Sequence, residues 1–324
     1  MLPPLRIVPD PHERVWGGRR LGAPGRLPIG ELWVVGGANP VAGGPFAGRT
    51  LDKLAAELGA ELVGTRAIAI RGPRFPFLVK LLDPQAWLSV QVHPDDALAR
   101  RLAGPDAVGK TEAWYVLDAA PGATLLVGVR EGVDAAAVRT AITSPDGPGS
   151  LLARYAVEPG DALLIPAGTL HAVGPGVFLY ELQQPSDITY RCYDWGRPAG
   201  PERPLHIAES LASVRPASRP EPVHPVAAPG ERALLAACEH FVLELLCAGE
   251  GAPELAADGT SVHVLTAVEG GVEVAGGPAG SPWSIGLGAL ESAVVPATAG
   301  AYRLRSAARA ARVLLARVPA AGGR

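Results

Sequence analysis

Cysteine is scarce in this 324-residue chain: Cys192, Cys238 and Cys247 form an odd, scattered set without CxxC spacing. That excludes a disulfide framework. Charge is thin as well, with 19 % Asp, Glu, Lys and Arg and a formal net charge of -3. No field follows that could grip nucleic acid or anionic lipid. No uninterrupted apolar run reaches the roughly 18 residues of a membrane span. The opening MLPPLRIVPDPHERVWGG lacks the apolar centre of a secretory signal. A cytoplasmic protein with neither a membrane nor a nucleic-acid partner is expected. Hydrophobic residues make up 48 % of the chain, enough for a sizeable core, and the length suggests about two domains.

What is abundant is glycine, 40 residues, and proline, 33 residues. They punctuate short β-rich runs: ELWVV (31–35), AIAIR (67–71), FLVKLL (77–82), WLSVQVH (87–93), AWYVLD (113–118), TLLVG (124–128), ALLIP (162–166), VFLYELQQ (177–184) and ITYRCY (188–193). In the run from 88 to 93, alternation sets Ser89, Gln91 and His93 on one face and Leu88, Val90 and Val92 on the other. Helical patterns are few, at 51–58, 96–103, 134–142 and 206–214, with Asp52, Asp96 and Asp134 near helix starts. Many short strands with such punctuation read as an all-β protein of the sandwich or jelly-roll kind. Residues 215–230 carry five prolines in 16 positions, a linker or stiff crossover. Strand-like runs resume after it at 241–246, 261–268, 271–276 and 302–306. Two β domains are therefore expected, 1–215 and 216–324.

From Gly160 to His171 the chain has the form G-x5-P-x-G-x2-H: a strand, a tight Pro/Gly turn, and a histidine entering the next strand. This resembles the second cupin motif, whose histidine is a metal ligand in a jelly-roll barrel. Pro175 stands where Asn is usual. The partner motif supplies ligands at i and i+2 on a strand plus a carboxylate. Gln91 and His93 provide the pair, with Gln where many cupins carry His. Glu112 follows 19 residues after His93, so the helical stretch between them reads as an insertion. Two imidazoles, a carboxylate and an amide oxygen form a mixed N/O site that suits Zn²⁺, with Mn²⁺, Co²⁺ or Fe²⁺ as alternatives.

Longer blocks narrow the resemblance. FPFLVKLLDPQAWLSVQVHPDD (75–96), GKTEAWYVL (109–117) and ELQQPSDITYRCYDWGRP (181–198) are similar to the type I mannose-6-phosphate isomerases, particularly their short bacterial form. The WGG at 16–18 and the Gly30 to Trp33 run match that family's N-terminal strands. The likeness covers about 1–215 well and the remainder loosely.

The resemblance implies that Gln91, His93, Glu112 and His171 bind one zinc ion per chain. It implies that mannose 6-phosphate and fructose 6-phosphate interconvert through an enediol. Such chemistry needs an electrophile at the carbonyl, a proton carrier, and cations for a phosphate dianion. Arg191 matches the family's active-site arginine and is assigned to the developing oxyanion, being permanently ionised with a donor fork. Lys110, two residues before Glu112, shares its face if both lie on a strand. Glu181 is the carboxylate in the matching position, and Lys80 and Ser89 are the expected phosphate contacts. Glu181, Lys110 and a metal-bound water all stay open as the base.

Plainer roles exist for these residues. Lys80 has a plainer reading as a solvated edge-strand lysine, Arg191 as an ion-pair partner of Asp187 or Asp194, and most tryptophans as core. Rival functions are another metal-dependent cupin enzyme, such as an oxygenase, and a non-catalytic sugar-binding cupin regulator. Gln91 as an extra ligand, with Lys80, Lys110 and Arg191 as a basic group, favours a phosphosugar. Gly43 to Thr50 mimics a phosphate loop with Arg for Lys, but Pro45 removes an amide, and the strand-like ELWVV is separated from it by seven residues where the pattern demands a directly preceding buried parallel strand. In the second domain, Thr298 and Ala301 occupy the Gly and His places of the cupin motif, and His240 and His263 lack a QxH or HxH companion. That domain is expected to keep the β pattern without ligands. Monomer and homodimer both remain open.

Overall fold

The computed structural model describes residues 2–22, 28–201, 203–249, 254–306 and 311–320. The chain is mostly β with few helices and divides into two compact units. One comprises Pro11–Leu32 and Leu81–His224; the other comprises Met1–Asp10, Trp33–Lys80 and Pro225–Arg324. The expected cut between 1–215 and 216–324 therefore differs from the compact units. The first strand, Leu5–Arg6, pairs with Ser292–Val295. The Val63 carbonyl accepts a hydrogen bond from Val262, and that of Leu62 from Ala297. These long-range backbone bonds tie early segments to late strands, a pairing that no local pattern announces.

In the Pro11–Leu32/Leu81–His224 unit, one sheet runs in the order Tyr190–Tyr193, Val90–Val92, His171–Val173, Thr124–Val129, Leu152–Ala156. The other contains Val177–Gln183, Glu112–Ala119 and Ala162–Ile165 as neighbours, antiparallel throughout. Inward residues of both sheets meet in a cluster of Trp114, Val116, Leu125, Val127, Leu163, Ile165, Val173 and Leu179. The outer face of the first sheet, with Val90, Val92, Leu126 and Ala172, is covered by the helices Ala135–Thr143 and Ile207–Ser213. Alternation thus holds for Val90, Val92 and the ligand-bearing face between them. Leu88 departs from it: the strand is only Val90–Val92, and Leu88 packs in the intersheet core.

The other unit also has two sheets, one centred on His263–Glu269, Ala311–Arg317 and Val242–Ala248, the other on Gly300–Ser306 and Val272–Gly276. Its intersheet cluster is apolar, with Leu246, Leu265, Val274, Val295, Leu304, Val313 and Leu315. The run at 67–71, expected as a strand, is part of the helix Thr65–Arg71. Short apolar runs do not distinguish the two periods, and here Gly64 and Gly72, at φ 92° and 72°, bracket a single helical turn or two. No described helix is long and apolar enough to cross a membrane.

His263 is buried at the edge of this core, its Nδ1 2.7 Å from the Tyr302 hydroxyl. Burial, aided by Arg317, pushes its pKa down to about 4 from 6.5. The folded state therefore resists protonation, so His263 costs stability as pH falls from 6.5 toward 4, where the unfolded chain binds the extra proton. We expect wild type to lose about 2 kcal/mol more than His263→Gln between pH 7 and pH 5, read from urea unfolding at both pH values. Equal losses would show that His263 does not titrate this way.

A candidate metal centre

Strand register brings the candidate residues together. His171 lies opposite Gln91 across one strand pair, and Arg191 lies opposite Gln91 across the next. Directly opposed residues project to the same face, so Arg191, Gln91 and His171 form a row. In the facing sheet, Glu112 is opposite Gln183 and Ile165, and Trp114 is opposite Glu181.

The two histidines and Glu112 converge, with exposures of 1 % for His93 and 0 % for Glu112 and His171. His93 Nε2 lies 3.5 Å from Glu112 Oε2, and His171 Nε2 lies 3.3 Å from Oε1. Backbone carbonyls determine the tautomers: His93 Nδ1 donates to Ile188 at 2.9 Å and His171 Nδ1 to Thr169 at 2.9 Å. A neutral imidazole carries one N–H, so each Nε2 then presents a lone pair. Burial pulls the His171 pKa down to about 4, keeping that ring neutral near pH 7. Two nitrogen lone pairs thus point at a fully buried carboxylate whose Oε1 accepts no hydrogen bond. That arrangement is repulsive without a cation and fits a divalent metal, with carbonyl-anchored imidazoles as such sites require. His93, Glu112 and His171 each offer a ligand atom within 4.8 Å of the others.

Gln91 stands beside them, its Nε2 3.1 Å from His171 Nε2 and its Oε1 accepting from Ser89 Oγ at 3.3 Å. A half-turn of the amide brings its oxygen toward the same centre. Lys110, expected on the strand, is instead in the loop before it, since the strand starts at Glu112. Its ammonium still reaches the site, 2.9 Å from Glu112 Oε2 and 3.7 Å from Glu181 Oε1. Burial disfavours the ammonium, yet Glu112 and Glu181 outweigh it and raise the Lys110 pKa above the ordinary lysine value. Glu181 is 4 % exposed and accepts from the Trp114 indole N–H at 3.0 Å.

Arg191 is half-buried and feels Asp194 only at a distance, the oxygens of that carboxylate being bonded by Arg197 at 2.6 Å and Arg203 at 2.9 Å. Its Nη1 donates to the Pro204 carbonyl at 3.0 Å, and its Nε is buried without a hydrogen bond. Burial and the nearby Arg203 lower its pKa from the usual arginine value. Lys80 belongs to the other compact unit, where its Nζ sits 4.7 Å above the Trp33 ring. Sequence reasoning missed the hydrogen-bonding roles of Trp114, Asp96 and Gln184. All three fall inside the family-like blocks, but nothing in their residue types separates them from core or surface.

Among the described residues a second group, Glu158, Asp161 and His224, also has metal-capable atoms. It differs in kind: His224 is exposed and its Nδ1 already shares a proton with Asp161 at 2.8 Å. It reads as a hydrogen-bonded pair at the surface.

The fold and site define a β protein with a buried His–Glu–His centre able to hold a divalent metal. A family model described as phosphomannose isomerase type I, catalytic domain, matches residues 13–113. The mannose-6-phosphate isomerase of Streptococcus mutans is 39 % identical over 222 residues, covering 65 % of this chain and 67 % of that protein. The probable mannose-6-phosphate isomerase GmuF of Bacillus subtilis is 40 % identical over 225 residues, or 66 % and 69 % of the two chains. The crystal structure of a mannose 6-phosphate isomerase from Bacillus subtilis superposes with a TM-score of 0.81 at 27 % identity, covering 97 % of this chain and 99 % of that one. The chain belongs to the type I phosphomannose isomerase family.

His171→Ala leaves one imidazole and one carboxylate. It is expected to bind Co²⁺ at least about 100-fold more weakly, since even losing an outer hydrogen-bond partner costs 10–100-fold. A visible-absorption titration of the apoprotein measures this. Unchanged affinity would sink the site assignment.

Proposed function

We propose that this chain is a metal-dependent aldose–ketose isomerase that interconverts mannose 6-phosphate and fructose 6-phosphate through an enediol. The observation that carries this reading is the grouping of His93, Glu112 and His171 with a buried ammonium, Lys110, and a second carboxylate, Glu181. The ligand set proposed is those three with the Gln91 amide oxygen. One Zn²⁺ per chain suits two imidazoles, a carboxylate and an amide, with Mn²⁺ or Co²⁺ as substitutes. When bound, the ion supplies Lewis acidity at the C1 and C2 oxygens of the substrate.

The protein's own groups then divide the remaining work. The base role is assigned to Glu181, a buried carboxylate beside Lys110 and fixed by the Trp114 N–H, which takes the C2 proton of the aldose and returns it at C1. The Trp114 N–H and the Lys110 ammonium orient the Glu181 carboxylate for this step. Lys110 and Arg191 offset the negative charge that develops on oxygen as the enediolate forms. Ser89, beside Gln91, is proposed as a phosphate contact, and Lys80 carries the same proposed role on sequence grounds.

Each unit is proposed to be a cupin-type jelly-roll barrel, and the one ending the chain to have lost its ligands. Ala301 stands where His171 does, and an apolar cluster fills that unit's intersheet space. A phosphorylated sugar does not cross membranes unaided, which supports a cytoplasmic site of action.

Proton NMR of mannose 6-phosphate in D₂O, with and without chelator, tests the reading. Fructose 6-phosphate should form only with metal present, and deuterium at C1 or C2 would report exchange of the proton on Glu181 with solvent. No conversion by metal-loaded protein would overturn the proposal in favour of a sugar-binding role. Arg191→Ala should keep its metal while kcat falls by about 10²-fold, the scale of losing one oxyanion donor. A change in KM alone would instead make Arg191 a binding residue.

A further inference from the structure

Lys110 poses a problem of placement. A lysine on a strand inherits the precision of the ladder, whereas Lys110 sits in a loop, just ahead of the strand Glu112–Ala119. Its side chain is nevertheless buried and seated between two carboxylates. Something must hold the loop.

Three consecutive backbone amides are gripped there. The Gly109 N–H donates to Asp96 Oδ1 at 2.8 Å and the Thr111 N–H to Gln184 Oε1 at 2.8 Å. Between them the Lys110 N–H donates to the Pro94 carbonyl at 3.0 Å. The two gripping side chains are themselves joined, Gln184 Nε2 donating to Asp96 Oδ1 at 2.9 Å. Asp96 is available for this because Asp95, not Asp96, caps the helix Asp96–Ala103 through the Leu98 N–H at 2.8 Å.

Steric fit adds a second constraint. A Cβ on Gly109 would lie 2.5 Å from the Asp95 carbonyl carbon and from the Asp96 nitrogen. The loop is pressed onto the turn at 94–96, and only a glycine permits that approach. Gln184 is 1 % exposed, so its two bonds are sheltered from water.

We propose that Asp96 and Gln184 form a clamp that positions Lys110 for the chemistry by holding the amides on either side of it. They are positioning residues: neither is required to touch substrate or metal. An acceptor that binds Gly109 and Gln184 at once ties residues 96, 109, 111 and 184 into one unit, so the ammonium cannot drift without breaking several buried bonds. This inference rests on the role proposed above for Lys110.

Asp96 is only half-buried, so its variants should fold, and urea midpoints check that they do. The experiment compares Asp96→Ala, Asp96→Asn, Lys110→Met and the double variant D96A/K110M for kcat, KM for mannose 6-phosphate and bound metal. Asp96→Ala should lower kcat about 10- to 100-fold, the cost of a displacement near 1 Å, with KM and metal content held within about twofold. Asp96→Asn should restore most of the rate, because an amide oxygen accepts both bonds. In the K110M background, D96A should cost nothing further.

Wild-type kcat in D96A with K110M inactive would overturn the clamp and leave the role of Lys110 standing. The same loss in both backgrounds would overturn it too, since the effect would not run through Lys110. Full activity in K110M would remove the role of Lys110 and the clamp with it.

Discussion

Two imidazole nitrogens and a carboxylate face one another in the dry interior of this protein, with the Gln91 amide and the Lys110 ammonium as neighbouring donors. His93 and His171 have committed their N–H groups to the Ile188 and Thr169 carbonyls, and Glu112 is fully buried. Desolvated lone pairs so arranged repel, and a positive charge relieves that repulsion. Lys110 supplies one such charge, but two carboxylates share it. The centre remains net negative, a condition that a divalent ion satisfies. The surrounding polar architecture follows from keeping that centre dry and its donors committed.

The β scaffold meets this demand by register. Gln91, His171 and Arg191 project together because they are cross-strand partners, whereas Glu112 and Glu181 come from the opposing sheet. Below them the core is aliphatic and aromatic, with Leu125, Val127, Leu163 and Leu179 between the sheets. Close packing there resists the shifts that would separate ligands on facing sheets. Trp114 belongs to both regions: its ring packs in the core and edges against His171 at 5.4 Å, while its N–H serves Glu181.

Loops complete what strands begin. The Lys110 loop and the Arg191 segment both depend on side-chain to backbone bonds, Arg191 through Pro204 and His206. Trp195, at φ 57°, holds a left-handed backbone that a tryptophan adopts at a cost. Its indole bonds to the Leu88 carbonyl and its ring packs on Trp87 and Tyr193. These contacts make it an anchor for the turn that follows Arg191.

Much of this was legible in the residues. Val, Leu and Ile at strand spacing, broken by Gly and Pro, specify a β protein, because alternation and turn chemistry act over a few residues. The ligand strand was legible for the same reason: Gln91 and His93 lie two apart, and His171 closes a Pro/Gly turn. Long motif blocks were enough to point to the family. Local pattern could not say that 67–71 is helical, that Leu88 turns inward, or that residues 33–80 group with the end of the chain. Those outcomes depend on which distant backbone groups are available to pair. Nor could it put Lys110 in a loop, give Asp194 to Arg197 and Arg203 rather than Arg191, or join Asp96 to Gln184. Spacing along a chain specifies which residue types share a face. Which proton or lone pair each one presents is decided only when folding brings its partners within hydrogen-bonding distance.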